Sequence, residues 1–133
     1  MTGSRVLLDT WAWWEILRGS TKGVDLQRSY LEPQGTRVFT SSITLGEISA
    51  KMTSEGQKRD IPLVVASIRR ESEVVDVTPE IAVSAGVLRQ DLRKADSQAS
   101  LADAIVLSTA RDLDAILVSA DPAFVGQPDA TDH

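Results

Sequence analysis

Residues 5–17 read RVLLDTWAWWEIL. RVLL is a short apolar run, long enough for a buried strand and too short for a helix. TWAWWEILRGS follows as a helix, with Thr10 placed as its N-cap and Gly19 as its stop. Asp9 stands at the junction. A buried strand has no structural need for an acid at its exit, and the cap is already assigned to Thr10.

The same unit returns along the chain. TRVFTSS (36–42) predicts a second strand, and ITLGEISAKMTSEG (43–56) a helix closed by Gly56. DIPLVVASIRRE (60–71) opens on Asp60 and Pro62, a usual helix start. EVVDV (73–77) is a third strand, and TPEIAVSAGVLRQDLRKA (78–95) a long helix. KADSQA (94–99) is a polar loop. SLADAIVLSTARDLD (100–114) is another helix, AILVS (115–119) a fourth strand, and DPAF (121–124) a short turn. Strands separated by helices call for a parallel sheet with helices on both faces, because each crossover must return over the sheet. The expectation is a three-layer α/β/α fold in one domain, residues 1–124, with 125–133 (VGQPDATDH) as a loose polar tail.

Bulk composition narrows the chemistry. At 133 residues the chain supports one ordinary core. Its composition, 42% hydrophobic and 25% charged, is that of a soluble globular protein. No apolar run approaches the ~20 residues of a membrane span, and the start has no signal-peptide pattern, so a cytoplasmic location is expected. Cysteine is absent and the one histidine is the last residue, His133, which argues against thiol chemistry and histidine acid/base catalysis. Neither GxxxxGK nor GxGxxG occurs. Enzymatic chemistry, if present, rests on carboxylates.

In a parallel sheet, ligands bind at the carboxyl edge. Asp9 and Asp121 leave strands there, and Glu47 and Asp103 lie in the first turns of the helices that follow. Like charges brought together need a cation, and hard divalent ions such as Mg2+ or Mn2+ suit oxygen ligands. Each acid also has a local explanation. Ser100 and Asp103 have capping-box spacing, Asp121 before Pro122 is a good N-cap, and Glu47 favours a helix dipole.

The segments LLDTWAWWEIL, SSITLGEIS, SLADAIVLSTAR and ILVSADPAF, in this order and spacing, resemble the PIN-domain family, and most closely its VapC-type toxins of toxin–antitoxin pairs. The resemblance covers nearly the whole chain. It implies a four- or five-stranded parallel sheet and an acidic quartet, Asp9, Glu47, Asp103 and Asp121, that binds one or two Mg2+ or Mn2+ ions and cleaves RNA to 5′-phosphate and 3′-hydroxyl ends. Ser119 stands where relatives carry a hydroxyl beside the metal site, and Thr10 is taken with it as supporting. It also implies a homodimer silenced by a VapB-like antitoxin. The polar VGQPDATDH departs from relatives that place a strand there.

Net charge is −5, which argues against a broad basic nucleic-acid face. Arg18, Lys22, Lys51, Arg93 and Lys94 are the candidates for a basic rim around the acids, although solvated surface charge is the commoner reason for such residues. All three tryptophans fall in WAWWEIL; large rings are mostly core, but Trp11 and Trp14, three apart, are placed on one face as an antitoxin groove. Competing functions are a PIN-like nuclease of RNA processing and a non-catalytic module whose acids only cap helices. A phosphoacceptor domain fits poorly: LLDTW offers one acid where a pair is needed, and LVSADPAF has no lysine.

Overall fold

A computed structural model describes residues 4–131; His133 lies outside them. The elements are β1 (Arg5–Leu8), α1 (Thr10–Leu17), α2 (Thr21–Leu26), β2 (Arg37–Ser41), α3 (Ser42–Ser54), α4 (Ile61–Glu71), β3 (Glu73–Val75), α5 (Pro79–Ala95), α6 (Leu101–Asp112) and β4 (Ile116–Val118). The four strands form one parallel sheet in the order β3-β2-β1-β4. Among the described residues, no helix is long and apolar enough to cross a membrane.

Successive strand side chains point to opposite faces, and both faces here are apolar. Leu7, Phe39 and Leu117 pack with α5 and α6 on one side. Val6, Leu8, Val38 and Val118 pack with α1, α3 and α4 on the other. This is the expected three-layer arrangement. Trp13 anchors α1 in the second layer: it is 1% exposed, and its indole Nε1–H donates to Thr40 Oγ1 at 2.9 Å. Thr40 in turn meets the Ser72 hydroxyl at 2.7 Å. A buried N–H thus has its partner, and β1's exit is tied to the middle of the sheet.

Two segments differ from expectation. Residues 20–31, which carry no expected element, form α2 and a π-helical turn at Gln27–Leu31. Ser20 caps α2 by accepting from the Gly23 amide at 3.0 Å. Gly23 itself is obligatory, since a Cβ there would lie 1.9 Å from the Glu15 carbonyl oxygen, where α2 closes on α1. The tail is not loose up to Thr131. Leu117 donates its amide to the Asp129 carbonyl and accepts from the Thr131 amide, both at 2.8 Å, while Arg111 pairs with Asp129. Ala130 makes a single parallel bridge to Leu117. These contacts cover part of β4's open edge, which an exposed strand otherwise presents to other chains, but they do not amount to a fifth strand.

Candidate active site

The sheet's carboxyl edge gathers the four acids. Asp9, Glu47, Asp103 and Asp121 all line one cleft of about 90 Å³, together with Thr10, Trp11, Val106 and Phe124. The residues come from β1's exit, α3, α6 and the turn after β4, segments separated by up to 112 positions, 9 to 121. Such a volume admits a few waters or an ion, and is well below the ~300 Å³ at which small-molecule pockets begin. An enclosed metabolite does not fit. A larger substrate would lie across the mouth and present one group to the acids.

Asp9 is itself the N-cap of α1, accepting from the Ala12 amide at 2.9 Å. This corrects the placement of Thr10 as cap: Asp9 is the last extended residue, φ −84° and ψ −177°, and Thr10 is already helical. Asp caps as well as Thr does. Thr10 is thereby released for another task, and its hydroxyl donates to Glu47 Oε1 at 2.7 Å. A cap and a site residue are therefore the same carboxylate here.

Burial dominates Asp9's electrostatics. The side chain is 7% exposed, and loss of solvent raises its pKa from the usual 3.8 to about 7. Hydrogen bonds from the Ser119 hydroxyl and the Ala12 amide pull the other way, while the charges of Asp121 and Glu47 push it up further. Partial burial likewise raises the Asp121 carboxyl; the Ala123 amide opposes this, and the charges of Asp103 and Asp96 add to it. The charged groups acting on both are acids.

The remaining positions are held by local bonds. Ser119 is buried, and its hydroxyl accepts from the Asp121 amide at 3.0 Å, so one hydroxyl serves Asp9 and the Asp121 backbone. Asp121 caps the turn Pro122–Phe124, accepting from the Ala123 amide at 2.8 Å. Asp103 closes the capping box of α6: it accepts from the Ser100 amide at 2.8 Å and its own amide donates to Ser100 Oγ at 3.1 Å. The capping roles legible in the sequence are real. They coexist with a shared cleft, which capping alone does not require. Among the described residues no three Asp, Glu or His side chains close on a common point as a ready-made metal-ligand cluster.

The other candidates lie elsewhere. None of Arg18, Lys22, Lys51, Arg93 and Lys94 lines the cleft, which does not support the expected basic rim. Arg18 is engaged by Glu15, Lys51 stacks on the Trp14 ring at 4.7 Å, Lys94 pairs with Asp91 at 3.2 Å, and Arg93 donates to the Ala99 carbonyl at 3.2 Å. Lys22 is half-buried on α2. Trp11 and Trp14 do not share a groove. Trp11 is in the acidic cleft, whereas Trp14 faces a second groove of about 360 Å³ with Leu17, Met52 and Val64, edged by Arg18, Glu55 and Asp60. Three residues leave the two side chains about 60° apart on the helix, and only Trp14 reaches the groove built with Met52 of α3 and Val64 of α4. Phe124 and Val106, walls of the cleft, have no sequence signal beyond being apolar next to a site acid.

A family model described as PIN domain matches residues 6–127. No curated protein matches in sequence. Among solved structures, the chain is similar to a toxin–antitoxin complex from Klebsiella pneumoniae, with 20% identity, 95% of each chain covered and a TM-score of 0.72. It is also similar to VapBC2 from Rickettsia felis bound to a DNA fragment from the promoter, with 18% identity, 97% of each chain covered and a TM-score of 0.74. A third is VapC20 from Mycobacterium tuberculosis, a sarcin-ricin loop cleaving toxin, with 22% identity, 91% of this chain and 95% of that chain covered and a TM-score of 0.67. At these identities the structural likeness concerns the fold.

Proposed function

We propose that this chain, which belongs to the PIN-domain family, is a metal-dependent endoribonuclease and the toxin of a toxin–antitoxin pair, working in the cytoplasm. The supporting observation is that acids from four distant segments line one small cleft at the carboxyl edge of the sheet. The donor set fits a hard divalent ion: oxygen ligands, excess negative charge, and a buried carboxyl whose pKa is raised with only acids as charged neighbours. Asp9, Glu47, Asp103 and Asp121 would hold Mg2+ or Mn2+. When bound, the ion supplies charge neutralisation and Lewis acidity for hydrolysis of a phosphodiester.

The chain's own residues prepare that site. Thr10 and Ser119 are positioning residues, the first fixing Glu47 and the second holding Asp9 and the Asp121 backbone. Three of the four carboxylates are further fixed by amide donors, so little ordering is left to substrate binding. Trp11, Val106 and Phe124 wall the cleft and limit the water it admits. RNA would lie over the mouth. Arg93 braces the loop that leads into Asp103's helix. The Trp14 groove, with an apolar floor and charges of both signs at its edge, suits an antitoxin segment carrying apolar side chains. One similar structure is a toxin–antitoxin complex.

Incubating the purified protein with structured RNAs and manganese tests this reading. Internal cuts leaving 5′-phosphate and 3′-hydroxyl ends are expected, and intact RNA would contradict it. Thr10→Val removes the Glu47 donor while keeping the shape. It should lower cleavage by about tenfold, while stability changes by no more than the ~1 kcal/mol of one exchanged hydrogen bond; unchanged cleavage rates would show that Glu47 needs no such support.

A further inference from the structure

Ser119 serves two acids from one atom. It follows β4 directly and is 1% exposed; its hydroxyl donates to Asp9 and accepts from the Asp121 amide at 3.0 Å. A hydroxyl has a single proton, so both bonds persist only while the Ser119 backbone is held in place. On its inner side β4 is held by β1, with Val118 opposite Leu8. On its outer side β4 is the edge of the sheet, and the tail takes a strand's place there.

Leu117 gives its amide to the Asp129 carbonyl and its carbonyl accepts from the Thr131 amide, the two bonds of one parallel rung with Ala130 opposite. One rung further, a continued ladder would bring the Thr131 carbonyl to the Ser119 amide. The Thr131 side chain does this instead: its hydroxyl accepts from the Ser119 amide and donates to the Leu117 carbonyl, each at 3.3 Å. The hold on Ser119 thus depends on which side chain stands at 131. A residue without a hydroxyl would leave a buried N–H unpaired. Arg111 fixes the other end of this strap, donating to Asp129 Oδ2 and Gln127 Oε1, both at 2.8 Å. It does so from α6, whose first turn carries Asp103. We infer that Thr131, which is not among the residues lining the cleft, is a positioning residue of the acid site: it holds Ser119, and Ser119 sets Asp9 against Asp121. Its consequence for cleavage rests on the nuclease reading.

Thr131→Val and Thr131→Ser in the full chain test this, by manganese-dependent RNA cleavage and by amide hydrogen exchange of the metal-free protein. Valine keeps the shape and the strap's backbone bonds but cannot accept from Ser119. It should lower kcat by about tenfold or more while KM stays within about twofold. It should also speed exchange of the Ser119 amide by about tenfold, with the amides of β1 and β2 exchanging as in the wild type. Serine restores the acceptor and should bring both readouts back to within about threefold of the wild type. An active wild type matched in kcat by Thr131→Val, a serine variant no better than the valine one, or an unmoved Ser119 amide would overturn the inference and leave the nuclease reading intact. A wild type that cuts no RNA would overturn both.

Discussion

Asp9→Asn is expected to abolish RNA cleavage, by about a thousandfold or more, without unfolding the protein. Losing one carboxylate from a divalent-ion site removes several kcal/mol of charge stabilisation where the reaction needs it. The amide retains the shape and an oxygen that can accept from the Ala12 amide, so the cap of α1 survives. Asp103→Asn should behave in the same way. Activity on a structured RNA, read beside circular dichroism, separates the two effects. Purified Asp9→Asn protein that still cuts would remove Asp9 from the chemistry.

The same substitution should stabilise the metal-free protein above neutral pH. Asp9 titrates at about 7 in the folded chain against 3.8 ordinarily, so the folded state holds the proton more tightly than the unfolded one. Its contribution is fully present below about pH 4 and is lost as pH rises toward 7, leaving a buried charge at pH 8. Each pH unit between the two values is worth about 1.4 kcal/mol, which sets an upper bound of about 4 kcal/mol. Asparagine carries no charge to bury. Urea unfolding in a chelating buffer should find Asp9→Asn more stable than the wild type at pH 8 by about 2–4 kcal/mol, with the gap closing near pH 4. Equal stability at both pH values would show that the carboxyl is not held in the buried setting described. A residue that costs stability and is retained for charge is what a site, rather than a cap, demands.

Much of this was legible in the sequence because parallel strands buried on both faces appear as continuous apolar runs. RVLL and AILVS could hardly be anything else. The four acids were legible for a related reason, since each sits at a strand exit or a helix start and the carboxyl edge is where those ends meet. Other features were hidden. α2 has a glycine in its middle, which locally signals a break, and only the approach of α2 to the Glu15 carbonyl shows why Gly23 is there. Thr10 and Asp9 are both good caps, and choosing between them needs the backbone angles at the strand exit. The split of Trp11 from Trp14 follows from where α3 and α4 pack, which no spacing within α1 contains. The tail is pinned mainly through backbone bonds to Leu117, and these have no side-chain signature.

Manganese titration of the chelator-stripped wild-type protein, followed by calorimetry and by the melting midpoint, decides whether the four acids hold an ion. Binding confined to the folded form is worth about 2.7 kcal/mol at ~100 times the dissociation constant, a rise of roughly 8–12 °C for a domain of this size. The wild type should show a binding heat and that rise, both absent in Asp9→Asn. A wild-type protein with no heat and an unmoved midpoint would contradict the ion site.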